Sequence, residues 1–139
     1  MKKVFYMLIA TVFALTACEL ERSDNGNLDG IWKMQGLDSL ATGKFVDKSN
    51  GQTAYLVQKN LLQLEGAGST ILCRFEHKGD SLIIYDPRTS DFSNNPITDI
   101  APLRNYGINS LRQSFHIDAL SGSRMILKSD ELRLYFEKY

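Results

Sequence analysis

The sequence has few of the side chains on which metal sites and disulfide frameworks depend. Its 139 residues include two cysteines, two histidines and one tryptophan, and 16 Lys and Arg residues balance 16 Asp and Glu residues. Without a basic excess or a basic patch, nothing in the sequence suggests nucleic-acid binding. No apolar run reaches the roughly 20 residues that a membrane-spanning helix needs. The sequence therefore favours neither a disulfide-rich fold nor a spanning protein.

The first 17 residues have the order of a secretory signal. Lys2 and Lys3 provide a basic start, an apolar stretch runs from Val4 to Leu15, and small residues follow. Such a segment forms a short signal helix that is removed after export. We therefore predict a signal peptide at 1–17.

The residues Leu15-Thr16-Ala17-Cys18 resemble the lipobox of bacterial lipoproteins, an aliphatic residue and two small residues before a cysteine. The resemblance implies cleavage before Cys18, a diacylglycerol on its thiol, and acyl chains such as palmitate that anchor the protein in the cell envelope, most simply at the outer membrane. Two or more chains suffice for stable anchoring. The alternative is an ordinary secretory signal followed by a chance cysteine.

Residues 18–27 are predicted to be the lipidated cysteine and a flexible tether. The segment is polar, has no aromatic or β-branched residue, and so cannot bury enough surface to fold. The acidic residues Glu19, Glu21 and Asp24 loosely resemble a surface-export signal, and a solvated linker is the other interpretation. Without Lys2 and Lys3, 14 basic residues face 16 acidic ones, a net charge near −2. Residues 28–139 then form one domain.

The apolar pattern of the domain has a period of two, which indicates β-strands. Turn residues separate the segments, as in hairpins. Residues 86–93 are interpreted as a polar loop, and 98–105 as one or two helical turns. The predicted strands are 31–37, 53–58, 60–65, 70–77, 81–85, 113–120, 124–128 and 131–138.

About eight short antiparallel strands in an all-β meander can close into a barrel, which removes the free edges of the sheet. An eight-stranded barrel is either filled by side chains or holds one small ligand. A β-sandwich remains the alternative architecture, because the pattern alone does not distinguish the two.

The segment Leu28-Asp29-Gly30-Ile31-Trp32-Lys33 resembles the Gly-x-Trp start of lipocalins and of small bacterial lipocalin-like lipoproteins. The resemblance implies that Gly30 turns the chain into the first strand and that Trp32 packs across the closed end of a barrel. It also implies an Arg over the Trp. Arg133 is nearest in the last strand but its parity points outward, which leaves Arg124 or Arg112. The alternative for Trp32 is an ordinary core residue.

We find no catalytic signature, since Gly-x-Ser-x-Gly, Ser-x-x-Lys and His-Glu-x-x-His are all absent from the sequence. The glycines of 66–70 resemble a loose phosphate loop, but no Lys follows and a turn explains them better. Asp80, Asp86 and Asp91 fit turns and loops, and Glu65 and Glu76 fit outward strand positions. We therefore expect no enzyme and no cofactor.

Four residues are candidates for metal or thiol chemistry. His116 and Asp118 share one strand face, but a metal site needs further ligands, so a solvated pair is favoured. Cys73 alternates with Ile71 and Phe75, so it is predicted to face the core as a packing residue. His77 shares that strand face and keeps a catalytic thiol as the minor alternative.

The inward apolar residues are either core or the lining of a cavity. The long polar segment 86–109 is the sequence's best indication of a mouth or lid. The first hypothesis is a barrel that binds a small apolar or amphipathic ligand; the alternative is a packed, non-catalytic lipoprotein that docks on another envelope protein. The candidate cavity residues are Tyr55, Val57, Ile71, Phe75, Phe115, Ile117, Leu132, Leu134 and Phe136.

Overall fold

A computed structural model describes residues 25–139. The predicted signal peptide (1–17), Cys18 and residues 19–24 of the tether lie outside these residues. No helix of the described part is long and apolar enough to cross a membrane.

The described chain is all-β, with nine strands and one short helix. A 3-10 turn, Gly26–Leu28, precedes the first strand, and the helix α1 spans Ala101–Arg104. The strands are β1 (Gly30–Ser39), β2 (Phe45–Asp47), β3 (Ala54–Gln58), β4 (Leu61–Glu65), β5 (Ile71–Lys78), β6 (Ser81–Thr89), β7 (Gln113–Leu120), β8 (Arg124–Lys128) and β9 (Leu132–Lys138).

Eight of the strands close into a barrel. Each pairs antiparallel with its neighbour in the order β1-β3-β4-β5-β6-β7-β8-β9, and β9 returns to pair with β1 along the register from Trp32↔Lys138 to Ser39↔Leu132. This closure confirms the predicted barrel and excludes the sandwich. Because a closed barrel has no edge strand, every barrel strand pairs on both sides; the ladder between β6 and β7 joins residues 81–84 to residues 113–116.

Strand alternation places one face of each strand inside. In β7 the buried residues Gln113, Phe115 and Ile117 alternate with exposed neighbours, as a pleated strand with one face on the core requires. The core cluster that results contains residues from all eight barrel strands. The sequence predictions for β7 and β8 match the strands of the structure residue for residue.

Two strand assignments from the sequence were wrong. The short strand β2 was not predicted; it pairs with the outer part of β1 and adds a ninth strand beside the barrel. The predicted polar loop at 86–93 begins too early, because β6 continues through Thr89 and pairs Arg88 with Leu72 of β5. A positive φ of 50° at Asp86 marks the irregularity at which the strand changes parity.

The tether prediction extends too far toward the domain. Asn25 donates its backbone N–H and its side-chain amide to the Asp29 carboxylate, at 3.0 and 2.7 Å, and the same amide contacts the Lys59 carbonyl oxygen at 2.6 Å. Residues 25–27 therefore lie against the barrel end formed by the β3–β4 turn.

Candidate functional site

The candidate cavity residues all point into the barrel. Eight of them are at most 8% exposed, and Leu132 is partly buried against the same cluster. They belong to one core cluster; the rings of Tyr55 and Phe136, on the two strands that flank β1, have centroids 4.7 Å apart. Sequence parity therefore identified the inner face of the barrel.

Side chains from the long connection between β6 and β7 also enter the interior. We call residues 98–109 the plug segment. Its residues Leu103, Tyr106 and Ile108 are at most 1% exposed and belong to the core cluster. They cover the end of the barrel at which β6 ends and β7 begins, which we call the mouth. The interior is thus filled partly by the wall and partly by this inserted segment.

Polar contacts attach the plug segment to the rim at Tyr106. Its hydroxyl donates to the Ser69 carbonyl oxygen at 2.8 Å and accepts the Ala67 N–H at 3.2 Å. The glycine-containing stretch 66–70 is therefore a rim turn that receives the plug, in agreement with a turn and not a phosphate loop. Loss of the Tyr106 hydroxyl would leave both rim groups to find other partners.

Gly107 lets the plug segment reverse direction above the interior. Its φ of +77° lies in the region that L side chains rarely adopt, and a Cβ there would lie 2.7 Å from a methyl carbon of Leu134. Glycine is favoured where the backbone has positive φ and approaches another group closely. The Tyr106–Gly107 peptide therefore lies directly on the core.

A second tyrosine holds the plug segment from below. The Tyr55 hydroxyl donates a hydrogen bond to the Tyr106 carbonyl oxygen. The side chain is fully buried, and burial, with smaller contributions from Cys73 and Tyr106, raises the pKa of Tyr55 well above its usual value of 10. Tyr55 is therefore a neutral hydrogen-bond donor inside an apolar interior.

The opposite, closed end is sealed by residues that are near one another in sequence. The indole N–H of Trp32 donates to the Leu28 carbonyl oxygen at 2.8 Å, and both residues have no exposed surface. Gly30, between them, has a φ of +131°. Trp32 thus lies across the closed end, where the resemblance to lipocalins placed it.

The cation over Trp32 is Lys138, not an arginine. Its ammonium nitrogen lies 4.7 Å from the ring centroid and donates to the Asn27 carbonyl oxygen at 2.9 Å. Arg133 points outward, as its parity predicted, and contacts Asp118 at 3.1 Å. The two alternatives were wrong: Arg112 lies over the Tyr85 ring, and Arg124 pairs across from Glu137.

His116 and Asp118 form a surface pair. The His116 Nδ1 lies 2.8 Å from an Asp118 carboxylate oxygen, and this hydrogen bond is the largest cause of the lowered pKa of Asp118; Arg133 adds to it. No group of three or more His, Cys, Asp or Glu side chains in the described residues has metal-binding geometry. The arrangement is a solvated polar network on the outer wall.

Cys73 is buried at 1% exposure, and burial raises the pKa of its thiol to about 12. His77 is exposed at the end of β5, and its Nε2 contacts the Gly79 carbonyl oxygen at 3.1 Å. A thiol with so high a pKa is not a nucleophile near neutral pH. The prediction that Cys73 is a buried packing residue is confirmed.

Asp86, Asp91 and Glu65 form hydrogen bonds with residues near them in the sequence. Asp86 contacts Arg88 at 3.1 Å, Asp91 accepts the Ser93 and Asn94 N–H groups, and Glu65 accepts the Gln63 amide at 3.0 Å. One cleft on the outer wall, of about 640 Å³, is lined mostly by polar residues, among them Arg112, His116 and Lys128.

These features define a small antiparallel barrel with one end sealed by a tryptophan and the other by an inserted segment. Residues 13–139 match the family described as the lipocalin-like domain, and the chain belongs to that family. A solved lipocalin-like protein from Bacteroides uniformis is similar, with a TM-score of 0.63 and 21% identity over 82% of this chain and all of that one. An uncharacterized protein from Bacteroides eggerthii gives a TM-score of 0.56 and 17% identity over 80% and 98% of the two chains. No curated protein matches the sequence.

Proposed function

We propose that the protein is a lipid-anchored envelope module that binds one small apolar or amphipathic molecule inside its barrel, with the plug segment as the gate. One observation carries this proposal: the mouth is closed by side chains of a connection, Leu103, Tyr106 and Ile108, and not by the barrel strands themselves. Movement of that connection would leave an apolar space of ligand size open at one end.

The attachment of the plug segment supports a gating role. The polar contacts that tie its centre to the barrel are the two made by the Tyr106 hydroxyl and the one that Tyr55 donates. Each barrel strand, in contrast, pairs with a neighbouring strand on both sides. An element with few attachments opens at a lower free energy than the fold as a whole.

Anchoring through Cys18 is part of the proposal and rests on the lipobox-like residues 15–18. We further propose that the module is not an enzyme, because the Asp, Glu, His, Lys and Arg side chains of the described residues lie on the outer wall and in turns. The buried titratable groups Tyr55 and Cys73 have pKa values raised by burial, so both are protonated near neutral pH. A membrane anchor would keep the module in the envelope, where apolar molecules are concentrated.

A second candidate function is a packed, non-catalytic barrel that docks on another envelope protein. The filled interior favours it, because the wall and plug side chains together leave the core residues almost without exposed surface. The two functions differ in one measurable respect: only the binding module takes up a small molecule when its mouth is loosened.

The test is native mass spectrometry of residues 22–139, produced without the lipid and exposed to an envelope lipid extract. We expect a retained small molecule of defined mass. Tyr106→Phe removes the two rim hydrogen bonds and should raise the apparent affinity for the molecule about five-fold or more. Hydrogen bonds of this kind contribute about 0.5–1.5 kcal/mol each, so the two together stabilise the closed state by about 1–3 kcal/mol.

Tyr135→Phe is the matched control, because that hydroxyl contacts Asp38 at 2.6 Å on the outer face of the wall, where the Tyr135 ring packs against Phe45 of β2. It should bind as the wild type does. A mass without ligand for the wild type and for Tyr106→Phe, across varied extracts, would contradict the binding function and favour the docking function.

A further inference from the structure

We infer that the ligand is a neutral molecule with an apolar body and one hydrogen-bond acceptor, and that Tyr55 is the residue that recognises this acceptor. The inference rests on the proposed function and specifies the chemistry of the same site. It follows from what the interior contains once the plug segment is displaced.

The Tyr55 hydroxyl holds the plug segment from inside the barrel. It lies inside the barrel without exposed surface, and its hydrogen bond goes to a carbonyl oxygen of the plug segment, that of Tyr106. When the plug segment moves out, this acceptor moves with it. The O–H group then remains in an apolar surrounding, where an unsatisfied donor is costly.

Displacement of the plug segment would leave a space inside the barrel. The side chains of Leu103, Tyr106 and Ile108 withdraw together, and the Phe136 ring beside Tyr55 stays in the wall. The vacated space has apolar side chains around it and the Tyr55 hydroxyl donor at the place where the carbonyl oxygen was. A ligand that fills it and restores the hydrogen bond carries a single acceptor on an apolar body.

The interior formed by residues 25–139 has no buried cation that could pair with a charged acceptor. Among the described residues, the buried polar side chains are Thr53, Gln113 and Ser129, and no Lys, Arg or His side chain is buried. A carboxylate placed at Tyr55 would lose its hydration without gaining a cation, which is strongly unfavourable. A ketone, ester or ether oxygen meets no such penalty. The site therefore selects a neutral acceptor over an acid of the same shape.

The experiment compares three probes with one ring frame, namely 2-ethylnaphthalene, 2-acetylnaphthalene and 2-naphthoate, by equilibrium binding to residues 22–139. We expect the ketone to bind at least about ten-fold more tightly than the hydrocarbon, because the hydrocarbon leaves the Tyr55 donor unsatisfied. The carboxylate should bind most weakly of the three. In Tyr55→Phe the ketone should lose its preference over the hydrocarbon. Tyr135→Phe, the outer-wall control, should keep it.

The outcomes separate the inference from the function on which it rests. Equal binding of ketone and hydrocarbon by the wild type, or tightest binding of the carboxylate, overturns the role of Tyr55 and leaves a barrel that binds ligands. Absence of binding for every probe, in the wild type and in Tyr106→Phe, overturns both. If Tyr55→Phe does not fold, the wild-type order of the three probes still decides the ligand chemistry.

Discussion

The two ends of the barrel are closed by different means. At the closed end, Trp32, Leu28 and Lys138 lie within or next to β1 and β9, the strands whose pairing closes the barrel. At the mouth, Leu103, Tyr106 and Ile108 belong to the connection between β6 and β7. In that connection Pro96 forms a single bridge with Arg88 of β6, and residues 98–109 pair with no strand. The first closure is therefore part of the barrel's own folding, whereas the second can be undone without opening the wall.

The largest expected effect is at the closed end. Trp32→Ala removes the largest buried side chain and its hydrogen bond to Leu28, and should lower the free energy of unfolding by about 3–5 kcal/mol in urea denaturation. Phe92→Ala is the control, because Phe92 is fully exposed and should change stability by less than about 0.5 kcal/mol. A loss below about 1 kcal/mol for Trp32→Ala would contradict the assigned role of the closed end.

A truncation of similar chemistry at the mouth should cost the whole protein less. Leu103→Ala should lower the global free energy of unfolding by less than about 2 kcal/mol, at or below the low end for a buried Leu, because the plug segment already opens locally. Hydrogen exchange of the Tyr106 and Ile108 amides should accelerate more than that of the β1 amides. Equal acceleration at both ends would show that the mouth and wall form one cooperative unit.

Cys73 lies on the wall beneath the mouth, close enough to Tyr55 to interact with it electrostatically. Burial raises the pKa of its thiol to about 12 from an ordinary 9.0. Below pH 9 the thiol is protonated in both the folded and unfolded states. Between pH 9 and 12 the unfolded chain loses the proton first, so stability falls as the pH rises.

From pH 7.5 to pH 10, the wild type should therefore lose about 1 kcal/mol more of its free energy of unfolding than Cys73→Ala loses, as measured by urea denaturation.

The alkylation rate of Cys73 at pH 8 compares the two ends directly. Iodoacetamide should label Cys73 faster in Leu103→Ala than in a closed-end variant of equal stability; equal labelling rates would argue against opening through the mouth.

The smallest effect belongs to the cation over Trp32. Lys138→Met should cost about 0.5–1 kcal/mol, the range for a partly exposed cation–π contact, and Lys138→Arg should restore most of it. Lys128→Met, on the outer wall, serves as the control and should leave stability nearly unchanged. If Lys138→Met and Lys128→Met have the same stability, the cation does not contribute to the closed end.

The strands and the inward face were predictable because alternation carries both. In β7, for instance, apolar residues with a period of two predict the burial of Phe115 and Ile117. The short strand β2 escaped prediction because its three residues, Phe45–Asp47, are all exposed and show no alternation. The end of β6 was not predicted because the positive φ at Asp86 changes which residues face inward, so the alternation of apolar and polar residues stops after Ile84.

The mouth and the cation were harder to predict for a different reason. Leu103, Tyr106 and Ile108 follow neither the strand period nor the helix period, since a four-residue helix and Gly107 lie among them. Lys138 is more than one hundred positions from Trp32, and parity gives the side of a strand but not which long side chain folds over its end. Contacts that depend on closure of the barrel leave no local pattern in the sequence.

The central claim is that the mouth opens independently of the wall, and hydrogen exchange of residues 22–139 at low urea concentrations tests it most directly. The amides of Leu103, Tyr106 and Ile108, which bond to carbonyl oxygens within the plug segment, should exchange at rates that low urea hardly changes, as local opening requires. The Met34 amide, which bonds to Thr53 in the wall, should exchange through global unfolding with a steep urea dependence. If both groups share one rate and one urea dependence, the mouth has no motion of its own and the gating account is wrong.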